Sequence, residues 1–268
     1  MIKVKNLTKI FNKGSVNENL ALDRVTIDVK KGDFITVIGS NGAGKSTLLN
    51  LIAGVYPPDT GKVIIDGSNV TPLKEHQRAK FIGRVFQDPM MGTAGSMSIE
   101  ENFSIALARG RRRTLAFGVN QKSRNLFKER LSLLGLGLED RLRDKVGLLS
   151  GGQRQSLTLL MATLNSPKVL LLDEHTAALD PKTARLVMDL TRRIIEKYEL
   201  TTVMITHNMQ QALANGNRLI MMHLGKIIFD VKGSDRDRLT VEDLLDQFGK
   251  LRGTLADKTL LSIKSEAP

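Results

Sequence analysis

The chain has 268 residues, of which 41% are hydrophobic and 25% charged, with a formal charge of +12. That length supports one or two domains with a sizeable core, and no apolar run approaches the roughly 20 residues of a membrane-spanning helix. The absence of cysteine excludes disulfides and thiolate metal sites, and the absence of tryptophan with only 4% aromatics argues against a stacking platform for single-stranded nucleic acid.

The N-terminal "MIKVKNLTKI" lacks the apolar core of a signal peptide, so a cytoplasmic location is expected. "IKVKNLTKIF", "LDRVTIDVKKGD" and "GKVIIDGSNV" alternate apolar and polar residues between Gly, Asp and Lys turns, the pattern of half-buried strands. "DFITVIG" is a continuous apolar run suited to a buried strand, and "KSTLLNLIAGV" after it has helical character. Residues 88–166 change in composition: Gly, Met and Ser first, then Arg-rich, then Leu-rich helical sequence. From "KVLLLDE" onward strands and helices alternate. Asp180 and Pro181 read as the N-cap and first residue of a helix, with Leu186, Val187, Leu190, Ile194 and Ile195 on its apolar face. "TTVMITH" and "RLIMMHLGKIIFDV" supply further strands. There is no internal repeat and no low-complexity linker. The expected architecture is a single α/β domain over 1–268, with a parallel core at 1–87 and 167–232, a helical insertion at 88–166 and a C-terminal extension at 233–268.

Two glycine turns carry the chemistry. The first, "GSNGAGKST" from Gly39 to Thr47, matches G-x-x-x-x-G-K-[ST] between a strand and a helix. Gly39, Ser40, Asn41, Gly42, Ala43 and Gly44 can close backbone N–H groups around phosphate oxygens, because glycines tolerate the required backbone angles. The helix start adds the positive end of a dipole, Lys45 can reach the β- and γ-phosphates, and Ser46 can ligate Mg²⁺. A tight structural turn is the alternative. "VLLLD" is a buried strand ending in Asp173, placed to hold Mg²⁺ through its water shell. Glu174 follows and points to a different side, where it can address a water in line with the γ-phosphate as a general base. A helix N-cap carboxylate is the alternative there. The second turn, "LSGGQ" (Leu149–Gln153), reads as a capping turn before "QRQSLTLLMATL".

The order of these motifs resembles that of ATP-binding cassette (ABC) ATPases over essentially the whole chain. The resemblance implies a P-loop NTPase (RecA-like) core with an antiparallel β subdomain and an inserted helical subdomain. It also implies ATP and Mg²⁺ as ligands. "LSGGQ" is similar to the family signature, which implies a head-to-tail homodimer: Ser150, Gly151, Gly152 and Gln153 of one copy cover the γ-phosphate held by the other. Gln87 in "VFQDP" resembles the glutamine that senses Mg²⁺ and the attacking water. His207 in "ITHNM" resembles the switch histidine at the γ-phosphate, a role not given to His76, His175 or His223. Phe11 resembles the adenine-stacking aromatic, with an apolar core Phe as the alternative. The implied partners are a second ATPase subunit, an integral membrane permease and, through it, a solute-binding protein. The implied location is the cytoplasmic face of the membrane; no nucleic-acid partner is expected.

Three departures from the family pattern stand out. His175 replaces the usual Pro after the acid pair, Ala177 replaces a Ser in the following loop, and "DPMMGTAGSMSIEENF" is small, Met-rich and expected to be flexible where it meets the permease. "DEHTAALD" with "GTAGSMSIEEN" resembles cassettes found with tryptophan- or tyrosine-type solute-binding proteins. Arg109, Arg111, Arg112, Arg113, Lys122, Arg124, Lys128 and Arg130 form a solvated face or a contact for anionic headgroups or an acidic permease loop, with nucleic acid the least favoured alternative because nothing else in the chain reads bases. The expected function is the ATPase subunit of a bacterial importer, with an export ATPase, a non-transport ABC ATPase and a non-hydrolysing regulatory module as rivals.

Overall fold

The computed structural model describes residues 1–110 and 118–249. In chain order the elements are β1 (Ile2–Phe11), β2 (Asn19–Val29), β3 (Phe34–Gly39), α1 (Lys45–Ala53), β4 (Thr60–Ile65), β5 (Ser68–Asn69), α2 (Glu75–Arg78) and β6 (Ile82–Val85). There follow α3 (Ile99–Leu107), α4 (Gln121–Ser132), α5 (Gly151–Thr163), β7 (Val169–Asp173), α6 (Pro181–Tyr198) and β8 (Thr201–Ile205). The last are α7 (Met209–Ala214), β9 (Arg218–His223), β10 (Lys226–Lys232) and α8 (Ser234–Asp237), with residues 241–249 again helical.

The strands form two sheets. The first, β2-β1-β4-β5, pairs antiparallel throughout. The second, β10-β9-β3-β8-β7-β6, is parallel from β9 to β6 with β10 added antiparallel at one edge. Its central strands are apolar on both faces, as a sheet covered on both sides requires: β7 buries Val169 to Leu172 and β8 buries all five of its residues. This is the P-loop NTPase architecture, with α3, α4 and α5 inserted between the neighbouring strands β6 and β7.

Alternation along β7 splits the packing. Val169 and Leu171 join α1 and the antiparallel sheet in one core, whereas Leu170 and Leu172 join α3, α4, α5 and α6 in a second. A smaller third cluster seats Ala212 of α7 and Leu244 against Leu219 and Met221 of β9. The apolar face of α6 is realised by Val187, Leu190, Ile194 and Ile195, but Leu186 is 58% exposed. The buried stripe instead takes in Met188 and Thr191, which rotates it away from Leu186.

Arg78 closes the lower end of α1. Its guanidinium is fully buried and donates to the carbonyls of Leu51, Ile52, Thr71 and Leu73. Burial lowers its pKa to about 10, so it remains a cation satisfying the last carbonyls of the helix. Three basic residues of the insertion are likewise used within the fold: Arg109 donates to the carbonyl of Ala162, Arg124 pairs with Glu100 at 2.7 Å, and Arg130 bonds the Tyr198 hydroxyl. They are structural cations rather than a uniform solvated face. Arg111, Arg112, Arg113 and residues 250–268 lie outside the described residues.

Candidate functional site

β3 runs straight into the first glycine turn. Gly39, Gly42 and Gly44 have φ of 156°, 76° and 95°, and a Cβ on Gly39 would come within 2.3 Å of the Met222 carbonyl oxygen. Gly44 backs onto β2 in the same way, its Cβ position lying 2.4 Å from the carbonyl oxygen of Ala21. The loop is therefore pressed between β2 and the β9–β10 turn, where the Gly225 amide donates to the carbonyl of Ala43. Lys45 is buried and folds over the loop, its Nζ 2.8 Å from the carbonyl of Gly39 and 3.0 Å from that of Ser40. Burial lowers its pKa, partly offset by the negative charges of Glu174 and Asp173.

Asp173 ends β7 beside this helix start. Its Oδ1 lies 3.5 Å from the Ser46 hydroxyl. Gln87 follows β6, the strand paired with β7, and is exposed. These are the oxygen-rich surroundings a Mg²⁺ ion takes when phosphates and water supply most of its ligands.

Glu174 leaves β7 through a left-handed residue, φ 47°, held by its amide's bond to the Ile205 carbonyl. Such a backbone angle costs a non-glycine residue about 1 kcal/mol and turns its side chain out of line with the strand. The carboxylate meets His207, which follows the adjacent strand β8: Oε1 lies 2.8 Å from Nδ1. A carboxylate only accepts, so Nδ1 carries a proton and donates to Glu174. Gln211 braces both loops, accepting from Thr206 Oγ1 at 2.6 Å and donating to Thr176 Oγ1 at 2.9 Å. A cleft of about 610 Å³ opens beside them between α6 and α7.

His175 is buried rather than facing this cleft, with Nε2 3.1 Å from Thr191 Oγ1. That hydroxyl donates to the Val187 carbonyl, so Nε2 is the donor. Burial lowers the His175 pKa from 6.5 to about 4. Below about pH 6.5 the unfolded chain takes up a proton that the folded chain resists, so stability falls until about pH 4 and then levels. The full span is on the order of 3 kcal/mol. His175→Gln keeps a donor for Thr191 and should flatten that acid-side slope in urea melts taken from pH 7 to 4. An undiminished slope in the variant would assign the loss to other groups.

The second glycine turn opens α5. Ser150 is its N-cap, accepting from the Gln153 amide at 3.3 Å, while Gln153 Oε1 accepts from the Ser150 amide at 3.1 Å. The motif is thus a capping box, with the helix dipole's positive end beneath it. Gly152 permits close approach to α6, where a Cβ would lie 2.1 Å from Thr183 Cγ2. α1 packs in the first core and α5 in the second, so the helices that follow the two glycine turns lie on opposite faces of the parallel sheet.

Phe11 ends β1 partly exposed and meets Tyr56 edge-on at 5.3 Å, with Lys9 Nζ 5.6 Å from its centroid. The Met-rich stretch after Gln87 is tied down more than its composition suggests. Asp88 caps a short turn at Met90, and buried Asn102 holds both the amide and the carbonyl of Ala94. Met90 and Met91 nonetheless remain 60% and 69% exposed. Sequence reasoning missed Arg84, Gln155 and Gln211. Gln155 is fully buried and donates to the carbonyl of Phe86, the residue before Gln87. A charge inside the apolar run "FIGRVF" was the available signal for Arg84, since a buried cation needs a partner.

The family model described as ABC transporter matches residues 22–177, more than half of the chain. The chain belongs to the ABC transporter family. It is an ATP-binding subunit of that family and an ATPase. This ABC ATPase is 46% identical over 248 residues to a tyrosine transport ATP-binding protein of Clostridioides difficile (strain R20291), covering 92% of this chain and 98% of that one. It is 35% identical over 249 residues to the methionine import ATP-binding protein MetN 1 of Oceanobacillus iheyensis, covering 90% of this chain and 70% of the relative. Among solved structures, it resembles the dimeric post-hydrolysis state of the ATP-binding cassette MJ0796 bound to ADP and Pi. The TM-score is 0.74 and the identity 31%, over 87% of this chain and 98% of that one. Among the described residues no helix is long and apolar enough to cross a membrane.

Proposed function

We propose that this ABC ATPase works as a homodimer on the cytoplasmic face of a membrane and powers an importer whose pore is a separate permease. The observation that carries the reading is the meeting of Lys45, Ser46, Asp173, Glu174 and His207 at the ends of neighbouring parallel strands. Ligands of open α/β sheets bind at that edge. The amides of Gly39 to Thr47 and the Lys45 ammonium hold the phosphates of ATP. Phe11 packs on the adenine. Ser46 and Asp173, with Gln87 nearby, are the residues that would hold Mg²⁺, which when bound neutralises phosphate charge. Glu174 accepts the proton of the attacking water, which Gln87 helps orient, and His207 steadies the Glu174 carboxylate and reaches the γ-phosphate.

The position of the signature supports a shared site. With the helices behind the two turns on opposite faces of the sheet, the amides at Ser150, Gly151, Gly152 and Gln153 would serve a nucleotide held by a second copy. ATP then holds two copies together, and hydrolysis lets them part, which moves the permease. Met90 and Met91 are exposed, as is Ile105 of α3 at 56%, and these apolar side chains are ones such a partner would cover.

Likeness to the tyrosine transport protein favours an aromatic amino acid as cargo, and likeness to the methionine import protein favours import as the direction. The test is reconstitution in vesicles with a permease that co-purifies with this chain and a tyrosine-binding protein. ATP hydrolysis should rise when tyrosine-loaded binding protein is added on the side opposite the ATP, with labelled tyrosine moving to the ATP side. Stimulation by solute on the ATP side, with movement away from it, would replace import by export.

A further inference from the structure

Arg84 is a second buried cation at the acidic strand end, and the reading of the site uses only Lys45. It sits on β6 opposite Leu171 of β7, and its side chain is 12% exposed. One terminal nitrogen donates to Asn50 Oδ1 of α1 at 2.7 Å and lies 3.5 Å from Asp173 Oδ2. The guanidinium also stacks over Phe86, 4.5 Å from the ring centroid. Asp173 is thereby divided: Oδ1 faces the Ser46 hydroxyl and Oδ2 faces a fixed positive charge. The planar guanidinium is held from three sides, by Asn50, Asp173 and the Phe86 ring, so its charge cannot swing away when the site fills.

We propose that Arg84 is a positioning residue that acts through Asp173. It holds Oδ2, presents Oδ1 toward Ser46, and by its charge weakens the grip of this carboxylate on a divalent cation. Two effects compete when Arg84 is removed. Loss of orientation would weaken cation binding, but the carboxylate sits on a rigid strand end with few rotamers to gain. Loss of a unit positive charge one carboxylate away from a doubly charged ion would strengthen it, and at the reduced dielectric of a half-buried site this effect is the larger. The site is thus tuned to let go of its cation and nucleotide rather than to hold them most tightly.

The inference rests on Asp173 being the carboxylate on the metal side, and the experiment separates the two. ATP affinity is measured by calorimetry on full-length protein in Mg²⁺ and in EDTA. The ratio of the two affinities reports how tightly the protein–ATP complex holds Mg²⁺ compared with free ATP. Arg84→Met should raise this ratio by about tenfold. Arg84→Lys, which keeps the charge, should leave it near the wild-type value. Arg84→Gln, a second neutral variant able to keep a bond to Asn50, should raise it as well and serves if the Met variant does not fold. A ratio unchanged or lowered in the neutral variants, or raised as much by Lys as by Met, would overturn the proposal. Asp173→Asn is run alongside: it should lower the ratio, and if it does not, the metal-side reading of Asp173 fails instead.

Discussion

Lys45→Ala should lose ATP affinity by at least about a hundredfold while the fold survives. Lys45 Nζ lies within 3.0 Å of two loop carbonyls, Gly39 and Ser40, so the ammonium is already held at the mouth of the glycine turn. Burial lowers its pKa and strips it of water, which makes its charge more valuable to an incoming phosphate than that of a solvated surface lysine. Two or more charge-assisted hydrogen bonds, at about 1.5–3 kcal/mol each, account for the expected loss. The loop itself should persist, because its shape is set by Gly39, Gly42 and Gly44 and by its packing on Ala21 and Gly225. Calorimetric titration with Mg-ATP is the measurement, with the thermal midpoint as a check on folding. A folded variant that binds ATP as wild type does would remove the phosphate-cradle reading of "GSNGAGKST".

What could be read from the sequence divides along physical lines. Local features were legible because they depend on neighbours in the chain. A buried strand, a glycine turn and a helix follow from "DFITVIGSNGAGKSTLLN", and the structure has β3, the loop and α1 there. "LSGGQ" was expected to cap a helix, and it does so by a reciprocal Ser150–Gln153 bond three residues apart. Long-range pairings were hidden. Glu174 and His207 meet because β7 and β8 are adjacent and parallel, a matter of strand order that neither segment encodes alone. The left-handed turn at Glu174 is equally invisible, since nothing in "LLDEHT" marks a glycine-like conformation. His175 was set aside as a switch histidine and noted as a departure from a family pattern; its burial against Thr191 depends on α6 packing over the loop. Leu186 failed for a finer reason: a helical stripe can be displaced by one residue without changing its period. Arg84 in an apolar run and Gln155 in a polar one each had a long-range partner that pattern alone could not name.

Glu174→Gln should separate binding from chemistry. The substitution keeps the size of the side chain, and the amide oxygen can still accept from His207 Nδ1 as Oε1 now does at 2.8 Å. The left-handed backbone at Glu174 is held by the Ile205 carbonyl, which the change does not touch. Lys45, Ser46 and Asp173 remain, so Mg-ATP should bind as before. An amide cannot take a proton from water at neutral pH, and hydrolysis should slow by roughly 10²-fold or more, the ordinary contribution of a positioned base. ATP then persists between two copies. Each nucleotide would be held by the loop of one copy and the Ser150 cap of the other, so unhydrolysed ATP favours the paired state by mass action. Size-exclusion chromatography of the variant with saturating Mg-ATP should give a dimer that the wild type, able to hydrolyse and part, forms far less. Hydrolysis at the wild-type rate would remove Glu174 as the base. A variant that binds ATP, does not hydrolyse it and still elutes as a monomer would count against the shared site, because the base would be accounted for while the signature would have no nucleotide to cover.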